Sequence, residues 1–437
     1  MKKVFMVIVM LAVLSAGAFA GGGQGGRSDQ VTISVWSGYP EMEAYFRNAG
    51  DAYTRQNPNV RIETLTNPLR EFEQRLGASI PSDTAGDIIE TSYGVMAPFI
   101  EAGFIPPIPA NSRAFATVPG RYPSTFLNLV TVGQNLYGIP SKAGLKALFW
   151  NTEMFREAGL TRAPQTFDEM AEYAKRLAVY DNNGNLVRSG HSLRLTGQGS
   201  GIAEKWEFVL YPMGGDILIE SRTQPGKFHA GYNNDAGRRA LKFYIDAVYV
   251  DKWDSFEVRH DTEAFQLGFT AMYFRESNVV GDTAQRVPGL PYDTALIPSD
   301  VRSGSMAISD FFFVTRSCRN PEIAHDFLLF MSNDENCRWL FQNVGWPPVR
   351  RDVDYSSVYA IHPQMHAFGS RPVDHVEYEN SKNCPAWVEI QSRLADRLAE
   401  AYLDSSLANN PAGIARAIAA MADETNAILR REGLYAE

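Results

Sequence analysis

Leu136-Tyr137-Gly138-Ile139-Pro140 opens a stretch that continues as Ala147-Leu148-Phe149-Trp150-Asn151-Thr152-Glu153-Met154-Phe155 and as Ala163-Pro164-Gln165-Thr166-Phe167-Asp168-Glu169-Met170. Tyr137 to Ile139 is a short apolar run. Pro140, with a fixed φ and no N–H for a sheet ladder, is expected to stop it. Leu145 to Trp150 is rich in β-formers and long enough for a strand. Asn151 or Thr152 can cap a short helix over Glu153 to Ala158, which Gly159 ends. Thr166 followed three residues later by Glu169 is a capping-box start for a helix through Leu177.

The chain on either side repeats this alternation. Val31 to Trp36 reads as a strand and Glu41 to Gln56 as a helix; Asn57-Pro58-Asn59-Val60 turns the chain into a second strand ending at Thr64. Phe72 to Ile80 is helical, Asp87-Ile88-Ile89 reads as a buried parallel strand, and Gly94 to Ala102 as a helix. Later come helices over Ile202 to Met213 and Asn234 to Tyr249, and a strand over Ala307 to Thr315. Helices over Ala324 to Met331, Asn333 to Asn343, Trp387 to Tyr402 and Pro411 to Leu429 complete the reading. Gly345-Trp346-Pro347-Pro348 is a rigid turn, because neither proline can continue a helix. Strands alternating with helices define an α/β fold with mostly parallel sheets flanked by helices.

Met1-Lys2-Lys3, the apolar run Val4 to Leu14 and the small-x-small site Ala18-Phe19-Ala20 read as a signal peptide cleaved after Ala20, with Gly21 to Gln30 as a flexible leader. The apolar run is well short of the ~20 residues of a spanning helix. A length of 437 residues has room for two domains. A formal net charge of −9 without a basic run argues against nucleic acid or an anionic membrane as a partner. Aromatics at 12% exceed what a core alone requires and suit a site for flat apolar faces. The three cysteines leave at least one unpaired: Cys318–Cys337, Cys337–Cys384 or three buried thiols are all compatible with the spacing.

Tyr-Gly-Ile-Pro, an apolar strand, Trp150-Asn151, Phe155-x-x-Ala-Gly-Leu and Pro164-x-Thr-Phe-Asp-Glu together resemble the lobe crossover of the extracellular solute-binding proteins of ABC importers, in the sugar-binding group that includes maltose-binding protein. The resemblance covers essentially the whole chain after the leader. It implies a two-lobe periplasmic-binding-protein fold with lobes discontinuous in sequence: 31–141 plus 308–345, and 142–307 plus 346–437, with crossings near 140–144, 305–309 and 344–350. It further implies a monomer without cofactors that closes by a hinge over a carbohydrate and docks transiently on a membrane permease. Relatives often carry a lipid on a cysteine at the cleavage point. No cysteine precedes Cys318 here, so a soluble periplasmic protein is expected.

Ligands of open α/β sheets sit beyond the carboxyl ends of the strands. That selects Trp36, Ser37, Tyr39 and Glu41, then Thr91 and Tyr93, then Lys142 and Gly144 at the crossing, and Arg275 and Asn278 after Ala271 to Phe274. The resemblance adds Glu204 and Trp206 on one helix and Trp387 at the start of another; Asp310 and Trp346 lie at the remaining crossings. Each has a plainer alternative: Trp36 and Trp206 as core, Trp346 as a turn anchor, Glu41 and Asp310 as cap or surface acids.

Catalytic and metal motifs fail. No strand-end carboxylate pair stands out for glycoside hydrolysis. In Gly197-Gln198-Gly199-Ser200-Gly201 the serine falls one place late for a nucleophile elbow. Pro363 interrupts the His362/His366 spacing, and Asp181 to Asn185 is an Asn-Gly hairpin turn rather than a calcium loop. A binding protein, not an enzyme, is the expectation; its alternatives are a binding protein for a non-sugar solute such as a polyamine, peptide or organophosphate, and a secreted carbohydrate-active enzyme.

Overall fold

The structure, a computed structural model, describes residues 30–196, 201–258, 261–350, 352–369, 372, 374–378 and 384–437. The expected signal peptide, all of the expected leader but Gln30, and the Gly197–Ser200 run lie outside these residues.

Ile33, Val35 and Ser37 share the buried face of β1 (Val31–Ser37), as period-two alternation requires. β1 pairs in parallel with β2 (Val60–Thr66) and with β3 (Ile88–Ser92). Ser34 lashes β1 to the entry of β3: its N–H and its hydroxyl both donate to Asp87 Oδ2, at 2.8 and 2.7 Å. The helices Glu43–Gln56, Leu69–Ser79 and Tyr93–Glu101 flank these strands.

β4 (Gly138–Asn151) is one unbroken strand of 14 residues, so Pro140 does not stop it. At Pro140 the strand is paired on one flank, by β7 (Gly304–Val314). β5 (Met272–Glu276) and β6 (Tyr292–Ala295) join it from Lys146 and Leu148 onward. The β4–β7 ladder is itself irregular between Ser309 and Phe311, and an edge or a bulge is where a strand admits proline. The eight strands run in the order β5-β4-β7-β3-β1-β2, with β6 also on β4 and β8 (Val376–Tyr378) on β7. Parallel pairing holds for β1 with β2 and β3, while β4, β5, β6 and β7 pair antiparallel where they meet.

Two apolar clusters define two bodies that share this sheet. Val35, Phe46, Ile89, Phe312 and Phe327 lie in the first; Leu148, Met170, Trp206, Leu241, Phe274, Ile390 and Leu429 lie in the second. Burying side chains of this size contributes roughly 1.5–3 kcal/mol each. The second body takes its helices from Phe167–Leu177, Gly201–Leu210, Asp235–Ile245, Trp387–Leu403 and Pro411–Arg431. Val349, Val358, Met365 and Phe368 pack with the first cluster, although the resemblance puts everything after 346 in the second lobe. The cause is aromatic: Tyr355 and Tyr359 turn back to stand edge-on against Phe341.

Local signals place the helix starts. Asn151 and Thr166 accept the N–H groups of Met154 and Glu169, and Gly159 stops its helix at φ +67. Asp181 closes the hairpin of Val179–Tyr180 and Leu186–Arg188 by accepting the N–H groups of Asn183 and Asn185. Cys318, Cys337 and Cys384 are buried free thiols. Among the described residues no helix is long and apolar enough to cross a membrane.

Candidate functional site

Lys142, Gly144 and Lys146 alternate along β4 and therefore share one of its faces. Lys142 is fully buried and paired with the carboxylate of Asp310 on β7. Its ammonium sits 3.4 Å from the ring centroid of Tyr39 and 4.9 Å from that of Trp346, whose two rings meet edge to face. Trp346 donates its indole N–H to Glu41 Oε1 at 3.0 Å. Beneath them Glu90, fully buried, accepts the hydroxyls of Ser37 and Ser141 at 2.6 and 2.5 Å. Burial, outweighing Lys142, raises the Glu90 carboxyl above its ordinary value. Burial, then Asp310 and Glu90, push the Tyr39 phenol well above its usual range, so it stays a hydrogen-bond donor.

A second charged group surrounds Lys146, four residues further along β4. Its ammonium pairs with Glu276 on β5 and, at 3.0 Å, with Glu204 on the helix Gly201–Leu210. Arg275 Nε adds a 3.1 Å pair to Glu276, and Lys205 lies 3.4 Å from Asp261. Burial pulls Lys146 down, but Glu204 and Glu276 outweigh it and the amine is raised. Burial pushes Glu276 up, yet Lys146, Arg275 and Lys205 hold it well below the usual carboxylate range. Burial brings Lys205 down to about 8 against the pull of Asp261. Gly144, buried between the two lysines, presents no side chain.

A cavity of about 980 Å³ has Glu41, Ala44, Asn343 and Val344 on one wall and Gln266, Arg275, Asn278 and Asp282 on the other. Asn278 Oδ1 is a buried acceptor without a hydrogen-bond partner among the described residues. The Glu41 carboxylate on one side and the Arg275 guanidinium on the other can take up a ligand that both donates and accepts hydrogen bonds.

The structure therefore gathers Ser37, Tyr39, Glu41, Lys142, Asp310 and Trp346 into one group and Glu204 and Arg275 into the other, with Asn278 on the cavity wall. Trp36 lies on the opposite face of β1 from Ser37, against Gly86 and 5.2 Å beneath Arg75. Thr91 is buried one residue beyond Glu90, and Tyr93 opens the helix Tyr93–Glu101. Trp206 is not a cleft face: it is 0% exposed in the second core, T-shaped against Tyr232. Trp387 is half-buried against that same core. Glu90, Ser141, Lys146, Lys205 and Glu276 were missed. For Glu90 and Lys146 the signal was a charge inside an apolar strand: Glu90 after Ile88-Ile89, and Lys146 two steps of period two from Lys142.

Comparison with known proteins follows this geometry. Residues 48–367 match the family of bacterial extracellular solute-binding proteins. A binding protein of Brucella abortus (strain 2308) is 23% identical over 97% of this chain and 98% of its own. The arabinooligosaccharide-binding protein of Bacillus subtilis (strain 168) is 21% identical over 81% of this chain and 82% of its own. In fold, the chain is similar to a solute-binding protein of an ABC transporter from Thermotoga lettingae, solved with α-D-tagatose. Its TM-score is 0.72 at 19% identity, covering 92% of this chain and 100% of that one. Family and relatives are binding proteins rather than enzymes, and the chain belongs to the bacterial extracellular solute-binding protein family.

Proposed function

We propose that this solute-binding protein captures a carbohydrate, an oligosaccharide or sugar derivative, between its two lobes by hinge closure and delivers it intact to a membrane ABC permease. The observation that carries the reading is the cavity of about 980 Å³ walled on one side by residues of 31–141 and 308–345 and on the other by residues of 142–307, within the size range of ligand sites. Its polar groups suit hydroxyls, and Trp346, which donates its indole N–H to Glu41, supports that wall from behind together with Tyr39. At roughly −0.3 kcal/mol per heavy atom, a disaccharide of about 23 heavy atoms gains about −7 kcal/mol without covalent chemistry. No cofactor is needed. Of the residues gathered here, Tyr39, Glu41, Arg275, Asn278 and Trp346 are the proposed ligand surface.

In this reading the first lobe is 31–141 with 308–345, onto which 349–368 folds back, and the second is 142–307 with the chain's last helices. The mature protein is a periplasmic monomer, cleaved after Ala20 and without a lipid anchor. A thermal-shift screen over mono- and oligosaccharides tests this. A ligand at a hundred times its Kd stabilises by about 2.7 kcal/mol, so one or a few sugars should raise the Tm. A flat response to every sugar, or recovery of a cleaved sugar, would overturn the reading.

A further inference from the structure

We infer that the Lys142 ammonium is the pin of the hinge: one buried cation that ties the two strand crossings, β4 and β7, to the Gly345–Pro348 turn of the first body and so sets the resting angle between the two bodies. The inference rests on the hinge reading proposed above. Lys142 belongs to the first crossing, β4, and is 1% exposed. Its ion-pair partner Asp310, 3% exposed, belongs to the second crossing, β7. Beside them the Gly345–Pro348 turn, which stays in the first body, brings the Trp346 ring to 4.9 Å from the same ammonium. Backbone contacts repeat the arrangement: Lys142 bridges to Pro348, and the N–H of Ala143 donates to the Pro347 carbonyl at 3.0 Å. The irregularity of β7 falls at Asp310, between Ser309 and Phe311; a bulge re-aims a side chain in this way.

An apolar contact would not do the same work, because hydrophobic packing is non-directional. A desolvated ammonium facing one carboxylate and two ring faces has a single best position. The cation also reaches the ligand cavity, since Trp346 passes the contact to Glu41 on its wall. Lys146 supplies the contrast. It lies on the same strand and face and is equally buried, but Glu204 and Glu276 both belong to the second body, so it ties nothing across the hinge.

Small-angle scattering from the ligand-free mature chain tests the assignment. Lys142→Met alone leaves Asp310 buried and unpaired and should lower the Tm; Lys142→Met/Asp310→Leu should recover most of that loss. The double variant should nevertheless keep a shifted radius of gyration and a broadened pair-distance distribution. Lys142→Arg should stay near the native profile, and Lys146→Met should match it. A folded double variant with the native scattering profile would overturn the pin, leaving Lys142 as a mere counter-charge to Asp310. If the double variant does not fold, Tyr39→Leu, which removes one ring face and keeps the ion pair, must produce the same broadening or the pin is wrong. Compaction of the native chain by a sugar hit is measured separately. Its absence would sink the closure reading without touching the comparison among ligand-free variants.

Discussion

The carboxylate of Asp254 accepts the backbone N–H of Leu193 at 2.8 Å inside the second core. Asp254 is 2% exposed, and burial, opposed by the N–H groups of Leu193 and Ser255, moves its pKa up to about 8. The folded state therefore keeps a proton that the unfolded chain releases near pH 4. The stability this confers is complete below about pH 4 and is lost as pH rises through about 8, with a slope of at most about 1.4 kcal/mol per pH unit. Asp254→Asn reproduces the neutral acid and keeps the acceptor. Urea denaturation between pH 5 and 8 should show a smaller decline for the variant than for the native chain; parallel declines would exclude a protonated Asp254.

Gly345 stands at φ +87 with its α-carbon facing the start of the helix Asn278–Arg286. A Cβ there would lie 2.9 Å from Asn278 Cα and 3.1 Å from the Ser277 carbonyl. Gly133 stands at φ +62 with nothing within 4 Å. Gly133→Ala therefore isolates backbone strain, on the order of 1 kcal/mol. Gly345→Ala adds a clash with the Ser277–Asn278 backbone, and its cost should exceed that of Gly133→Ala by about 1 kcal/mol or more. Denaturant titration of both variants decides it, and equal costs would show that the Gly345–Asn278 approach relaxes freely.

Trp206 shows where the sequence was legible and where it was not. Helix starts and the turn at Gly345 follow from caps and backbone limits that act over a few residues, as Asn151, Thr166 and Gly159 do. The helix around Trp206 carries Glu204, Lys205 and Glu207 and so looks half-solvated, yet Lys205 and Glu207 are 4% and 2% exposed. Charges satisfied by partners distant in the chain, such as Asp261 for Lys205, imitate a polar face. The same long-range pairing hid Glu90 and Lys146 within apolar strands. Pro140 was misread for a related reason: which flank of β4 is paired there depends on β5 and β6, more than a hundred residues later.

From its burial, Trp206→Ala should cost about 3–5 kcal/mol in urea denaturation. Trp206→Phe should cost less, because the indole N–H has no partner to lose among the described residues. In both variants the folded fraction should bind a sugar hit with native affinity by calorimetry. An affinity loss in Trp206→Phe at full folding would return Trp206 to the ligand surface.

Arg275 bears on the ligand itself. Burial opposes its charge, but Glu276 and Asp261 keep the guanidinium protonated and raised, and its side chain stays 20% accessible on the cavity wall. It faces Glu41 from the other wall, so a ligand in the cavity meets a donor on one side and an acceptor on the other. Hydrogen bonds to charged groups contribute roughly 1.5–3 kcal/mol, so Arg275→Ala should weaken a sugar hit by about ten- to a hundredfold. Glu276 keeps Lys146 as a partner in that variant, so the Tm should fall by only a few degrees. Asn278→Ala should weaken the same sugar by a smaller factor, about fivefold, because it removes a neutral acceptor. Calorimetry on both variants separates the contributions, and native affinity in Arg275→Ala would show that the ligand sits away from this wall of the cavity.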